Sequence, residues 1–259
     1  MIQFPSIDPI LLQIGPLPIR WYSLAYIAGI VLGVLYIKFL SKKSKTNLGK
    51  DFIDDFILYA VIGIIIGGRL GYVLLYGLNK YIHNPLSIFK TWEGGMSFHG
   101  GLIGFLIAMI LLGKSKKISH WKILDLSACA APIGIFFGRI ANFINGELFG
   151  RVSDVHWGMV FPYGGLLPRH PSQIYEALTE GLLLFIIMNI LFFKFHMFKI
   201  EKRLSAIFAI LYSFFRIIVE FFREPDASIG YIFGYLTMGQ LVSFAIMLVG
   251  ISMLKITKS

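Results

Sequence analysis

An arginine inside an apolar run needs a partner, a cavity or a task. Arg216 is the plainest such residue in this chain. In the stretch 214–223, Arg216, Glu220 and Arg223 stand at i, i+4 and i+7 against an aromatic and aliphatic background. That spacing puts all three on one face of a helix. Two readings fit the stripe. Arg216 and Glu220 can form a packing pair, with Arg223 reaching toward a headgroup region. Alternatively, the stripe offers a buried guanidinium to a phosphate, for which arginine is suited: its planar fork makes two parallel hydrogen bonds and stays protonated.

A second constellation occupies 138–151. If the helix ending near Gly138 continues, Arg139 and Asn142 share a face at i, i+3. Gly146 and Gly150 then open a loop presenting Asn145 and Glu147. A cation, amides and a carboxylate so close together suit an anionic, hydroxyl-rich ligand, although a snorkelling arginine above a hydrated helix end also fits. A third block, Gly94-Gly95-Met96-Ser97-Phe98-His99-Gly100-Gly101, opens an apolar segment. A histidine at a helix N-terminus can serve as a base or a phosphate ligand, or simply as an interfacial hydrogen-bonder. The fourth block is 169–176, with Ser172 as a helix cap and His170, Gln173 and Glu176 on one face near the helix start. It reads first as a polar cap with interhelical bonds, yet Glu176 and Glu180, one turn apart, are costly in lipid without partners.

Several residues carry less. Arg69 is another arginine in an apolar run. Tyr22 and Tyr26 stand one turn apart and either bond inward or join an interfacial belt. Cys129, the single cysteine, sits in an apolar stretch remote from the polar blocks and reads as a packing residue. HExxH, CxxC, P-loop and GxSxG patterns are missing from the sequence, so no metal site and no cofactor is expected.

The elements that must position these residues belong to a membrane bundle. Hydrophobic residues make up 56% of the 259, charged residues 15%, and mean hydropathy is +0.74. An ordinary soluble enzyme carries about 25% charge. Seven apolar segments stand out: 21–40, 56–76, 98–112, 123–138, 173–193, 204–222 and 235–254. A helix needs ~20 residues to cross a ~30 Å hydrocarbon core, and the third and fourth segments are shorter than that. Continuous rather than alternating apolarity favours helices over barrel strands. The expected fold class is therefore all-α, a polytopic membrane protein of about seven transmembrane helices. Glycines at four-residue spacing (Gly29/Gly33, Gly63/Gly67/Gly71, Gly100/Gly104, Gly134/Gly138) suit close helix packing within the bundle or a dimer interface, the former being preferred.

The net charge of +10 suggests nucleic acid or an anionic membrane, and its distribution decides between them. Lys42, Lys43, Lys45 and Lys50, then Lys114, Lys116, Lys117 and Lys122, then Lys194, Lys199, Lys202 and Arg203, and finally Lys255 and Lys258 fall on one side of the bundle. The opposite side holds Arg20, Lys80, Lys90, Arg139, Arg151, Arg169 and Arg223. This bias of about two to one places the N-terminus outside and the C-terminus in the cytoplasm. Short basic clusters beside apolar segments suit anionic headgroups and argue against nucleic acid. Residues 1–19 lack the pattern of a cleaved signal peptide. With no linker evident, the chain reads as one domain, 1–259, with an outward-facing loop region, 139–171, contributing to the site.

Together the blocks resemble the bacterial phosphatidylglycerol–prolipoprotein diacylglyceryl transferase family. The resemblance is carried by Trp21-Tyr22, Gly68-Arg69-Leu70-Gly71-Tyr72, Met96-Ser97-Phe98-His99-Gly100-Gly101, the 138–150 run, His170-Pro171-Ser172-Gln173-Ile174-Tyr175-Glu176 and the 215–226 run ending Glu224-Pro225-Asp226, in family order across nearly the whole chain. Ala141 departs from the family's usual glycine. The resemblance implies a seven-helix enzyme of the bacterial plasma (inner) membrane. It would move the sn-1,2-diacylglyceryl group from phosphatidylglycerol to the lipobox cysteine thiol of a prolipoprotein signal peptide, forming a thioether and glycerol 1-phosphate. The reacting sulfur then belongs to the substrate. Arg139 and Arg216 are expected to grip the phosphate, and His99 to accept a proton or orient the phosphate. Tyr22, Asn142, Asn145, Glu147, Gly150 and Arg223 are expected to bind substrate, with Glu220 holding the Arg216 rotamer. A lipid transporter and a membrane scaffold are the competing classes; the first releases no glycerol phosphate, and the second tolerates alanine at His99, Arg139 and Arg216.

Overall fold

In lipid, every backbone polar group must find its partner within the chain, so long apolar runs become helices. The computed structural model of this protein describes all residues except Met1, Ser6, Lys45, Asn47, Gly49, Lys50, residues 226–229, Phe233 and residues 257–259. Of the positions used above, Lys45, Lys50, Lys258 and Asp226 therefore lie outside the described residues. The helices are α1 (Trp21–Lys43), α2 (Phe52–Tyr76), the short α3 (Leu78–His83), α4 (Phe98–Lys116), α5 (His120–Ile144), α6 (Ser172–Glu176), α7 (Leu184–Phe193), α8 (Arg203–Glu220) and α9 (Met238–Ile256). A π-helical turn, Ala177–Leu183, joins α6 to α7 into one continuous rod.

Among the described residues, six helices are long and apolar enough to cross a membrane: α1, α2, α4, α5, the α6–α7 rod and α9. The remaining expected segment, 204–222, folds as α8, 18 residues long. Three charges, Arg203, Arg216 and Glu220, fall within those 18 residues.

Several boundaries move. The third and fourth segments are not short: α4 has 19 residues and α5 has 25. Helical hydrogen bonding continues through Lys114 and Lys116, and through Arg139, because it depends on backbone and not on apolar side chains. Lys117 ends α4 in a left-handed conformation, its N–H bonding to Gly113 and Lys114 carbonyls. Residues 139–144, assigned to a loop by their polarity, are thus the last turns of α5. Residues 235–237 enter a hairpin before α9 rather than the helix itself.

The expectation of an all-α chain also needs amending, because short β-ladders flank the helices. Strands β2 (Ile10–Ile14) and β3 (Leu17–Arg20) form a hairpin leading into α1. Strands β5 (Tyr231–Ile232) and β6 (Leu236–Thr237) form another before α9. Strand β1 (Ile2–Gln3) pairs in parallel with β4 (Met159–Val160).

The chain, which shows no linker in its sequence, packs as two compact units. One is Ser41–Leu124, built on α2 against α4. Its seam is the glycine series. A Cβ at Gly67 would lie 2.7 Å from the Gly104 Cα, and one at Gly71 would lie 2.7 Å from the Gly100 Cα. Small residues let the two backbones touch, the contact available to helices in a solvent as apolar as their own side chains. In this unit Arg69 is only 4% exposed. Its guanidinium donates to the carbonyls of Ser87, Ile88, Lys90, Gly94 and Gly95 at 2.5–3.1 Å. Arg69 thereby rivets the connection between α3 and α4 to the bundle.

The other unit comprises Met1–Leu40 and Asp125–Ser259. Within it α8 packs on α9. Gly29 of α1 meets Gly134 of α5 closely enough that a Cβ at Gly29 would stand 3.2 Å from the Gly134 Cα. After α5 the chain builds a small sheet-like cap. Bridges join Arg223 to Gly150, Val152 to Arg169, and Arg169 to Met159, and β1 then adds to β4. Phe4, Phe143, Phe149 and Phe161 cluster beneath it with ring centroids 5.3–6.3 Å apart.

Candidate active site

Three helices bring the charges of the apolar runs together. Arg139 comes from α5, Glu176 and Glu180 from α6 and its π-helical turn, and Arg216 and Glu220 from α8, with Arg223 just beyond. The Arg216 Nη1 donates to Glu176 Oε1, and its Nη2 lies 2.9 Å from Glu220 Oε2. The Arg139 Nε lies 3.1 Å from Glu176 Oε2, so a single carboxylate bridges two arginines from two helices. Glu180 stands farther off, 3.6 Å from Arg216 and 3.7 Å from Arg139. Arg223 approaches Glu176 and Glu220 at 3.9 Å. Three guanidinium groups thus face three carboxylates in one buried cluster, equal in number. The side chains of Glu176 and Glu180 are 0% exposed, that of Arg216 is 9%, and that of Arg139 is 20%. Arg139 is the arginine of this pair with the more open approach.

The turn after α5 forms a second group beside the first. Gly146 takes a positive φ of 66° and Leu148 one of 56°, which folds Glu147 back over the helix end. Its Oε1 accepts from Asn142 Nδ2 at 2.8 Å and from Asn145 Nδ2 at 3.3 Å. The backbone of the turn is tied down from α6: Gln173 Nε2 donates to the Glu147 carbonyl at 2.6 Å, and the Ser172 hydroxyl to the Leu148 carbonyl at 3.0 Å. Tyr22, on α1, shares a 2.9 Å hydrogen bond with Tyr26 and is close enough to Glu147 and Arg139 to feel both charges.

Gly150 holds its place for a steric reason. It lies between the 222–223 and 168–170 segments, and a Cβ there would stand 2.7 Å from both the His170 Cβ and the His170 carbonyl oxygen. Next to it, Arg151 clamps the end of α8. Its N–H bonds to the Phe222 carbonyl at 2.9 Å, and its guanidinium donates to the carbonyls of Arg223 at 2.9 Å and Glu220 at 3.2 Å. A cation on the last carbonyls of a helix satisfies orphan acceptors and suits the negative end of its dipole. The segment bearing Glu220 and Arg223 is held in this way from the cap.

Two further groups complete the surroundings. His170 shares a 3.1 Å hydrogen bond with the Tyr175 hydroxyl, which accepts from Trp157 Nε1 at 2.6 Å. Burial pulls the His170 imidazole below the usual histidine range, opposed by Asp154. Burial, joined by the neighbouring Arg216 charge, likewise pulls the Arg223 guanidinium below the usual arginine range. Arg169 reaches Glu224 at 3.0 Å and lies over the Phe149 ring.

Of the residues singled out in the sequence, Tyr22, Arg139, Asn142, Asn145, Glu147, Gly150, Arg216, Glu220 and Arg223 all lie in the same compact unit. His99 belongs to the Ser41–Leu124 unit, where it is exposed in the first turn of α4. That turn is capped by the Ser97 hydroxyl, which accepts from the Gly100 N–H at 3.2 Å. Glu176 and Glu180, read first as cap and packing residues, are instead the carboxylates at the centre of the ion-pair cluster. The signal for them was present: two acids in an apolar run require cations, and Arg139 and Arg216 lie in or beside other apolar runs. Arg151 and Gln173 act through backbone carbonyls, which no side-chain pattern announces. Among the described residues, no three His, Cys, Asp or Glu side chains are arranged to hold a metal ion.

The arrangement presents guanidinium forks beside amide and carboxylate groups, the donor set an anionic, hydroxylated headgroup requires. The family profile described as "Prolipoprotein diacylglyceryl transferase" matches residues 9–256. A protein of Rickettsia felis named phosphatidylglycerol–prolipoprotein diacylglyceryl transferase is 52% identical over 247 residues, 95% of each chain. A Rickettsia bellii protein of the same name is 51% identical, over 96% of this chain and 94% of its own. One from Allorhizobium ampelinum is 49% identical, over 97% and 90%. Matched along almost its whole length, with the charged cluster spanning three of its helices, this chain belongs to the prolipoprotein diacylglyceryl transferase family.

Proposed function

We propose that this protein moves the sn-1,2-diacylglyceryl group of phosphatidylglycerol onto the lipobox cysteine thiol of a prolipoprotein signal peptide. The glycerol carbon–oxygen bond to phosphate breaks and a carbon–sulfur bond forms. The thiol proton passes to an acceptor, and glycerol 1-phosphate departs. The reaction calls for a thiolate, since a thiol has a pKa near 8.5, and for stabilisation of the charge growing on the departing phosphate. The observation that carries this reading is the convergence of Arg139 and Arg216 on Glu176, in a chain of this family.

In this reading Arg139 and Arg216 clamp the phosphate from α5 and α8, and Glu220 holds the Arg216 rotamer. Arg223 supports the clamp from the end of α8. Tyr22, Asn142, Asn145 and Glu147 orient the glycerol headgroup, and Gly150 lets the cap close over the end of α8. His99 is assigned the thiol proton or the orientation of the phosphate. The chain needs no cofactor, since both reacting groups come with the substrates. It acts as a single functional domain, with region 139–171 contributing to the site. It crosses a bacterial inner membrane seven times among its lipids, and lysine and arginine bias supports an outer N-terminus, a cytoplasmic C-terminus and a site toward the outer side. Nucleic acid has no part in it.

The test is direct. Purified protein is incubated with phosphatidylglycerol and a lipobox peptide, and the peptide is weighed by mass spectrometry. The expected result is a diacylglyceryl gain on the cysteine with matching release of glycerol phosphate. Folded protein that binds both substrates and yields neither product rejects the reading.

A further inference from the structure

With all three acids ionised, the formal charges of the cluster cancel before any ligand arrives. Arg139, Arg216 and Arg223 are matched by Glu176, Glu180 and Glu220, and the carboxylates are buried. A phosphodiester entering this cluster brings one uncompensated negative charge. To grip it, the arginines must turn hydrogen-bonding capacity away from their carboxylates, and a buried carboxylate left without a cation is strongly disfavoured. Binding therefore requires that one carboxylate be neutralised or displaced.

The geometry distinguishes the three acids. Glu176 accepts a hydrogen bond from Arg216 and lies 3.1 Å from the Arg139 Nε. Glu220 lies 2.9 Å from the Arg216 Nη2. Glu180 is held least. Its nearest guanidinium nitrogens are 3.6 and 3.7 Å away, and both its oxygens are buried without a hydrogen-bond donor among the described residues. Charge-assisted hydrogen bonds favour the ionised form of a carboxylate, and Glu180 has none. The groups facing it are Arg139 from α5, Tyr212 and Arg216 from α8, Arg223 beyond α8, and Glu176 one turn earlier on its own helix. Glu220 adds a further negative charge across the shared Arg216. When Arg139 and Arg216 turn to a phosphate, Glu180 loses its two nearest cations.

Resting on the proposed function, we infer that phosphodiester binding at this site is coupled to the uptake of one proton from solution by Glu180. The carboxylate becomes a carboxylic acid, and the cluster with its ligand stays neutral. The coupling gives the site a pH-dependent hold on its lipid. Where free Glu180 is ionised, the Kd for phosphatidylglycerol rises about tenfold for each unit of pH.

The test is calorimetric titration of short-chain phosphatidylglycerol into the purified full-length protein in micelles, in two buffers of different ionisation enthalpy. At alkaline pH, where Glu180 of the free protein is ionised, about one proton taken up per lipid bound is expected for the wild type, with the tenfold slope in Kd. Glu180→Gln is expected to bind with no uptake and a flat pH profile. Difference infrared spectra of wild-type protein carrying isotope-labelled glutamate give a second readout, independent of any variant: a protonated glutamate carboxyl band appears on lipid binding. Wild-type binding without proton uptake, or unchanged uptake by Glu180→Gln, overturns this inference and leaves the assigned site standing. Folded protein that does not bind phosphatidylglycerol at all overturns the site reading and the inference with it.

Discussion

Replacing Arg216 by lysine keeps the charge and removes the fork. In the structure the guanidinium spans two carboxylates, with Nη1 on Glu176 and Nη2 2.9 Å from Glu220. An ammonium is a point charge and cannot hold both while also facing a phosphate in a bidentate manner. The loss of one preorganised donor to developing charge costs about 2.7–4 kcal/mol, or roughly 10²–10³ in kcat. The stability cost is smaller, on the order of 1.5–3 kcal/mol for a charged hydrogen bond, because the cluster remains neutral. Arg216→Ala differs: it leaves the buried glutamates one cation short, a change of about 3–5 kcal/mol when a buried pair is broken. Arg216→Lys should therefore fold while transferring diacylglyceryl about a hundredfold or more slowly, whereas Arg216→Ala should also lose thermal stability. The assays are peptide lipidation rate and melting in detergent. A folded lysine variant within a few-fold of wild-type transfer would refute the clamp.

Three more outcomes are expected. Gly150→Ala drives a methyl against the His170 carbonyl and Cβ, both 2.7 Å from it, so the cap must part from α8. A loss of about 1–3 kcal/mol, as for overpacking, should show as a lower Tm, together with slower transfer. Arg69→Gln cannot serve the five carbonyls from Ser87 to Gly95 that Arg69 now satisfies. Each buried acceptor left bare costs about 1–3 kcal/mol, and limited proteolysis should then cut between Pro85 and Gly95 far faster than in wild type; unchanged cutting would show that the rivet does not hold the segment. His170 has a folded pKa below its unfolded value of about 6.5, so the fold favours the neutral ring. That preference costs nothing above the unfolded pKa, and stability falls as pH drops below it. Melting measured from neutral pH downward should show this slope in wild type and lose it in His170→Gln.

How much of the site was readable depends on how its residues act. Arg216, Glu220 and Arg223 announce themselves because charge at helical spacing in an apolar run has few explanations. Asn142, Asn145 and Glu147 were visible as a polar group but not as a unit; the hydrogen bonds that join them depend on the positive φ of Gly146 and Leu148. Of the long-range pairings, Glu176 with Arg139 and Arg216 is set by how three helices pack, and spacing along one helix cannot report that. Arg151 was hidden more completely, because its targets are carbonyls of α8. The helices themselves followed from apolar runs. Their ends did not, since a helix such as α5 continues wherever backbone hydrogen bonds do, past the point where the side chains turn polar. The glycine series pointed to packing, and α2 against α4 is that packing. The π-helical turn at Ala177–Leu183 had no sequence signal, yet it lies where Glu180 leaves the helix toward the arginines.

The pairing of charges within the cluster explains how a bundle this apolar tolerates it. A lone arginine at the centre of a membrane helix costs ~2.5–3.5 kcal/mol even on the mildest scale, and three unpaired arginines among such helices would be strongly disfavoured. Pairing them with three acids lowers that cost, but it also occupies the forks that a phosphate needs. A site that is both stable empty and open to an anion must contain one pairing weaker than the rest. Glu180, buried and without a hydrogen-bond donor among the described residues, is that pairing, and the closer contacts of Glu176 with both arginines and of Glu220 with Arg216 keep them aimed while it yields. Strengthening the Glu180 contact by substitution would stabilise the empty protein and weaken its hold on the lipid. Weakening the Glu176 contact would do the reverse to stability and leave the clamp without its aim.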